Sequence, residues 1–182
     1  AWAALAHARE LAPGSSELVR LAAVLLDAEG LRAQALELLR TGIDSQPSAS
    51  ELHRALIDAH LRAGLEERLS ALYERWSANG TNATLAWWTG YAARLGGDLA
   101  QRERRFREAL EAYARADEWM AVAGTLEAGF RANAETVRFQ AQVSAAWCEL
   151  ESGALDAAGE RLLRLVRESP ARRAEPDGLA RT

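Results

Sequence analysis

His53 and His60 are the side chains in this sequence whose types and spacing come nearest to a metal site. They lie seven residues apart in a predicted helix over 51–63, so both fall on one face of it. A structural metal site needs further ligands, however, and the helical spacing that suits a metal pair is i,i+4. His7 has no evident partner. The pattern therefore favours packing roles for His53 and His60 and predicts no bound metal.

Cys148 is the only thiol, and it lies in the predicted helical stretch SAAWCELES. A cysteine nucleophile needs a neighbouring base, and no His–acid pairing or glycine-rich elbow accompanies this one. The sequence also lacks a phosphate-binding loop and a strand-based dinucleotide fingerprint. We therefore expect an inert core thiol, no catalytic residue, no cofactor and no enzymatic activity.

The composition indicates which elements must position the remaining candidates. Of the 182 residues 49% are hydrophobic and 26% charged, and Ala, Leu, Arg and Glu, all strong helix formers, dominate. A net charge of -4 argues against a general nucleic-acid binder. No apolar run approaches the roughly 20 residues that span a bilayer. The opening AWAALAHARE has no initiator methionine, so we expect a fragment of a longer protein.

Prolines and glycines recur at a spacing of 34 residues or half of it. The matching pairs are Pro13–Pro47 and Gly30–Gly64, 34 apart, and Gly30–Pro47 and Gly153–Pro170, 17 apart. Each interval contains an amphipathic segment of helical length, such as SSELVRLAAVLLDAE before Gly30. One such helix cannot bury its apolar face alone, so neighbouring helix pairs must stack into a solenoid.

These positions resemble the tetratricopeptide repeat (TPR) family. The first predicted pair matches the small and apolar positions of the family pattern at Val19, Ala22, Ala23, Leu26, Ala35, Leu39 and Pro47, and the second at His53, Leu56, Ile57, His60, Leu69 and Tyr73. The resemblance implies an all-α fold, a right-handed α-solenoid of antiparallel helix pairs. It also places the two histidines where the family has bulky packing residues.

The register predicts one domain over 1–170 and a frayed tail over 171–182. Within the domain we expect the last helix of a preceding repeat (1–13), repeats at 16–49, 50–83 and 135–170, and an irregular repeat at 84–134. The sequence predicts that Gly96 and Gly97 end a helix over 84–95. Because Gly153 lies 56 residues after Gly97, one extra helix is expected near the middle, best placed at EWMAVAGTLEAGFRA, making about ten helices.

The TPR resemblance implies a concave face lined by the first helix of each pair. Arg20 and Arg54 occupy equivalent sites on that face, and Arg107 joins them if 106–116 is a first helix. Asp58 and Arg62 follow on the same stripe, and arginines can receive carboxylates or phosphates bidentately. The alternative is an ordinary surface ion pair, because Glu17 precedes Arg20 and Glu51 precedes Arg54 by three residues.

Two tryptophan positions complete the predicted binding face. Trp147 is placed at the groove by register, although core burial is the alternative. Consecutive Trp87 and Trp88 point about 100° apart on a helix, so both cannot face one core. We predict that one is buried and that the other is partly exposed or covered by a distant segment; Trp88 is taken as the groove residue.

The sequence thus predicts a non-catalytic protein–protein interaction scaffold. The expected partner is a protein or peptide, either the parent chain or an assembly component, with no nucleic acid and no membrane span. Similar Ala/Leu/Arg-rich arrays occur in bacterial secretion and exopolysaccharide-export proteins, which slightly favours the periplasm over the cytoplasm. The alternative is direct binding of an anionic polymer, such as an acidic polysaccharide, by the concave-face arginines.

Overall fold

The computed structural model describes residues 2–168, which form nine α-helices and one short 3₁₀ turn. The helices are α1 (Trp2–Leu11), α2 (Ser16–Ala28), α3 (Arg32–Ser45), α4 (Ser50–Ala63), α5 (Glu67–Ala78), α6 (Ala83–Arg102), α7 (Phe106–Leu126), α8 (Arg131–Glu151) and α9 (Leu155–Glu168), and the turn is Ala128–Phe130. The predicted all-α fold is confirmed. The predicted tail 171–182 lies outside the described residues.

Consecutive helices pack as antiparallel pairs joined by short connections. In the pair α6–α7, Gly97 lies against the Tyr113 ring and Gly90 against Trp119 and Met120, so contacts run in opposite directions along the two helices. In the pair α7–α8, Asp117 binds Arg138 while Gly124 lies against Arg131 and Ala134. Each pair contacts the next, so the stacked helix pairs of a solenoid are present.

The first helices of successive pairs run parallel to one another. Ser16, at the start of α2, hydrogen-bonds Glu51 at the start of α4. At the other ends of the same two helices, Arg62 Nη2 lies 3.3 Å from Asp27 Oδ2. Both contacts join residues 35 apart in the chain, so α2 and α4 are offset by one repeat. Helices α2, α4, α6 and α8 are in contact in that order, forming one continuous side of the structure.

The glycines that set the predicted register behave as helix ends. Gly30, Gly64 and Gly153 have φ of +79°, +64° and +85° respectively, the left-handed region that residues with a Cβ adopt at a cost. Gly64 is the C-cap of α4, and its N–H bonds the Leu61 carbonyl at 3.1 Å.

The prediction that Gly96 and Gly97 end a helix is wrong. Both lie inside α6, which continues to Arg102 before the turn to α7. A Cβ on Gly97 would lie 2.7 Å from the Tyr113 ring, so the missing side chain is what lets α7 approach. The same face of α6 carries Ala86, Gly90, Ala93 and Ala100, all buried, and α6–α7 is the most extensive helix contact in the described residues.

The extra helix predicted near the middle is not a separate element. Its residues form the second half of α7, the 3₁₀ turn and the first residues of α8. Helix α8 begins 48 residues after α6 begins, whereas α4 begins 34 residues after α2 begins. The additional residues lengthen the helices instead of forming a new one. Helices α6, α7 and α8 have 20, 21 and 21 residues, whereas α2 to α5 have 12 to 14.

Helix α6 starts with a side-chain cap that offers a direct test of where this long helix begins. Asn82 Oδ1 accepts a hydrogen bond from Leu85 N at 2.8 Å, satisfying a backbone donor that has no partner within the helix. We expect Asn82→Ala to lower the free energy of unfolding by about 1 kcal/mol in urea denaturation. Ser50→Ala is the control, because α4 begins without a side-chain cap, and should change stability by less than about 0.5 kcal/mol.

Candidate functional site

A groove of about 520 Å³ lies between α2 and α4 and is called the main groove below. Its charged lining residues are Arg20 and Asp27 from α2 and Glu51, Arg54, Asp58 and Arg62 from α4. Arg20, Arg54, Asp58 and Arg62, which the sequence predicts on one face, therefore line one groove.

Small side chains create the main groove. Ala23, Ala35 and Ala59 are 3%, 2% and 5% exposed and lie along its base with buried Leu39. Alanines on facing helices leave space that larger residues would fill, while the helices stay in contact. Val24 is 48% exposed in the same groove, so the lining offers apolar area as well as charge.

Most of the charged groups in the main groove already have partners. Arg20 makes two hydrogen bonds to the Glu17 carboxylate, at 2.8 and 2.5 Å, as the surface ion-pair interpretation predicted. The Asp27 carboxylate forms ion pairs with Arg62 of α4 and Arg32 of α3, and each N–O distance is 3.3 Å. These exposed pairs hold the edges of the groove and contribute little free energy individually.

Arg54 and Asp58 differ from their neighbours in the main groove. Both are exposed on α4, and within the described residues neither forms an ion pair or a side-chain hydrogen bond. The alternative pairing of Glu51 with Arg54 does not form; Glu51 bonds Ser16 instead. A guanidinium and a carboxylate one helical turn apart therefore stand free at the surface, able to bind one acceptor and one donor on a ligand.

Arg107 does not join the other arginines. Its inclusion depended on residues 106–116 forming a first helix, but α7 is the second helix of the pair α6–α7. The side chain is 93% exposed and binds Glu111 one turn along α7 at 3.2 Å. It is an ordinary i,i+4 surface pair away from the main groove.

The tryptophan doublet divides as predicted. Trp88 is buried, 7% exposed, and its ring stacks on His53 with centroids 5.9 Å apart. Trp87 is half-buried and covered by Phe130 of the 3₁₀ turn, a distant segment, at a centroid distance of 5.6 Å. Trp88, predicted to face the groove, is instead the core member of the doublet and does not line the main groove. Trp147 is 53% exposed on α8 and does not line the main groove.

The residue types best suited to catalysis or metal binding, the histidines of α4 and the cysteine of α8, lie in the core. His53 and His60 are fully buried, which confirms their predicted packing roles. The ring nitrogens of His53 lie 3.1 Å from the Tyr73 hydroxyl and 3.0 Å from the Pro47 carbonyl oxygen. Because a carbonyl only accepts, Nε2 donates to Pro47 and Nδ1 accepts from Tyr73.

Cys148 is also buried, as predicted, and burial raises the pKa of its thiol, with Glu149 and Asp98 adding to the rise. A raised pKa keeps the sulfur protonated and unreactive. Within residues 2–168 no group of three or more His, Cys, Asp or Glu could hold a metal ion. No helix in that range is long and apolar enough to cross a membrane.

Comparison with known proteins returns a likeness in fold only. No protein-family model matches the chain, and no curated protein matches it either. Among solved structures it is similar to the crystal structure of YrrB, described as a TPR protein with an unusual peptide-binding site. The identity is 15% and the TM-score 0.44, over 92% of this chain and 75% of that one.

Proposed function

We propose that this chain is a non-catalytic scaffold that binds an extended segment of a protein partner in the main groove. The observation that carries the proposal is the free pair Arg54 and Asp58 beside an alanine-lined groove between two parallel helices. A peptide backbone presents carbonyl acceptors and N–H donors at short intervals, which suits one free cation and one free anion a turn apart. The exposed Val24 adds apolar contact for small side chains.

The charge of the main groove favours a peptide over an anionic polymer. Three arginines (Arg20, Arg54 and Arg62) are balanced by three carboxylates (Asp27, Glu51 and Asp58) in the lining. A polyanion binder concentrates unpaired cations, and only Arg54 among these three arginines is unpaired. The burial of His53, His60 and Cys148 supports a binding role rather than a catalytic one.

A bacterial secretion or exopolysaccharide-export assembly remains the proposed setting for the scaffold, with the periplasm as its compartment. The support for this setting is that the Ala/Leu/Arg-rich helix pairs resemble the arrays found in bacterial secretion and exopolysaccharide-export proteins. Co-purification of the parent protein with an export assembly, compared between wild type and a main-groove variant, tests this setting separately from peptide binding.

The direct test exchanges the two free charges. Peptides are first selected on the wild-type protein from a randomised displayed library, and the affinity of the best is measured by calorimetry. We expect the double variant Arg54→Asp, Asp58→Arg to bind them at least about tenfold more weakly, because each contact becomes repulsive while the net charge is unchanged.

The matched control is the same exchange on α7, Arg107→Asp with Glu111→Arg, which also alters an i,i+4 pair. It should leave peptide affinity unchanged. A library that yields no specific peptide, or peptides that bind the α4 exchange variant normally, would contradict the proposed function. Tight binding of a polyuronate to the wild type, lost in the triple variant Arg20→Ala, Arg54→Ala, Arg62→Ala, would favour the anionic-polymer alternative instead.

A further inference from the structure

A second concavity of about 500 Å³ lies beside the main groove along α4 and is called the aromatic pocket below. Its apolar and aromatic lining residues are Ile57 and Leu61 from α4, Trp87, Trp88 and Tyr91 from α6, and Phe130 from the 3₁₀ turn. Arg54 and Asp58 line both this pocket and the main groove. The two concavities therefore meet at the free charged pair on α4.

The irregular middle of the chain forms the pocket. Because α7 is long, the 3₁₀ turn that follows it carries Phe130 across to Trp87, at a ring centroid distance of 5.6 Å. On the other wall, Trp88 meets Tyr91 edge to face, with centroids 5.7 Å apart and planes at 86°. Stacking of Trp88 on His53 holds this wall from behind. The aromatic surfaces are thus held in place by the core.

One polar group of a pocket-lining residue has no partner. Trp88 is only 7% exposed, and its Nε1 is buried and forms no hydrogen bond. Because this atom has essentially no solvent-accessible surface, a ligand in the pocket does not reach it. The polar groups that can bind a ligand beside this apolar surface are therefore the free pair Arg54 and Asp58.

The chain's own final segment does not supply a matching group. Residues 169–182 contain no Trp, Tyr or Phe. The charged lining of the pocket, Arg54 and Asp58, carries no net charge, so it does not select a strongly acidic or basic side chain. Aromatic walls in edge-to-face geometry favour another aromatic ring over an aliphatic group of equal area.

We propose that the aromatic pocket holds one large aromatic anchor side chain of the partner segment. This rests on the proposed function: the same segment crosses α4 from the main groove, passing the free pair Arg54 and Asp58. The anchor sets specificity, while the main groove contributes backbone contacts.

The test uses the peptides selected on the wild-type protein. We expect them to share an aromatic residue at one position, and alanine at that position to weaken binding at least about tenfold. Phe130→Ala, which opens the pocket, and Leu61→Glu, which places a charge at its exposed edge, should each weaken the same peptides similarly. Binding should also shift the indole N–H resonance of Trp88 in the NMR spectrum. Trp147→Ala is the control and should leave affinity unchanged, because Trp147 is exposed on α8 outside the pocket.

The outcomes separate this inference from the proposed function. If the selected peptides depend on Arg54 and Asp58 but show no aromatic preference and bind both pocket variants normally, the anchor is wrong and the main groove stands. If no peptide is selected, both fail. If sedimentation shows wild-type self-association that Trp147→Ala abolishes and Leu61→Glu also abolishes, the pocket belongs to a second copy and the proposal is overturned.

Discussion

Gly97→Ala should destabilise the protein, although alanine is the better helix former. The new Cβ would lie 2.7, 2.8 and 3.1 Å from three ring carbons of Tyr113, which is fully buried. The ring cannot move freely, because its hydroxyl lies 2.9 Å from Asp98 Oδ1 and 2.7 Å from Gln101 Oε1 on α6. Overpacking of this kind costs about 1–3 kcal/mol. We expect the free energy of unfolding in urea to fall, even after the gain in helix propensity.

The neighbouring glycine provides a control for which the expected change in stability has the opposite sign. Gly96 lies in the same helix, and a Cβ there would meet nothing within 4 Å. Gly96→Ala should therefore stabilise the protein by up to about 1 kcal/mol through helix propensity alone. Equal stabilisation by both substitutions would show that α6 and α7 do not approach closely at Gly97.

Acid should destabilise the protein through His53. Burial lowers the pKa of this histidine from 6.5 to about 4, and the Pro47 carbonyl and Glu51 offset only part of that effect. The unfolded chain therefore takes up the proton first as the pH falls. The free energy of unfolding should be greatest above pH 6.5 and should decrease between pH 6.5 and 4, by about 3 kcal/mol from this residue. The pKa of His60 is also lowered, mainly by burial, so it acts in the same direction.

Substitution isolates the histidine contribution from that of carboxylates, which also take up protons in this range. His53→Gln cannot be protonated, so its stability should fall less steeply between pH 6.5 and 4 than that of the wild type. His7→Gln, which replaces an exposed histidine on α1, is the matched control. Identical slopes in the wild type and His53→Gln would contradict the buried, neutral state of His53.

Local sequence signals predicted the helix pairs but not how far each helix extends. Gly30 and Gly64 end helices by adopting the left-handed conformation, which glycine reaches at little cost. Gly97 has the same local signal, yet it lies inside α6 because Tyr113, sixteen residues later, fills the space its side chain leaves. That choice depends on a tertiary contact, and periodicity alone does not report it.

The same distinction applies to the site. Arg20, Arg54, Asp58 and Arg62 could be placed by register because α2 and α4 are regular repeats of equal spacing. The position of Arg107 could not be predicted in this way, because the face it occupies depends on whether residues 106–126 form the first or the second helix of a pair. Phe130 was missed for the same reason: it reaches Trp87 only because α7 is long enough to carry the 3₁₀ turn there.

The most direct test of the binding account is the map of backbone amide shifts when a selected peptide is titrated into the protein. We expect changes concentrated on α2 and α4 along the main groove, near 20–27 and 54–62, and on α6 near 87–91. Changes confined to α3, α5 or α7, with the α2 and α4 amides unmoved, would contradict it.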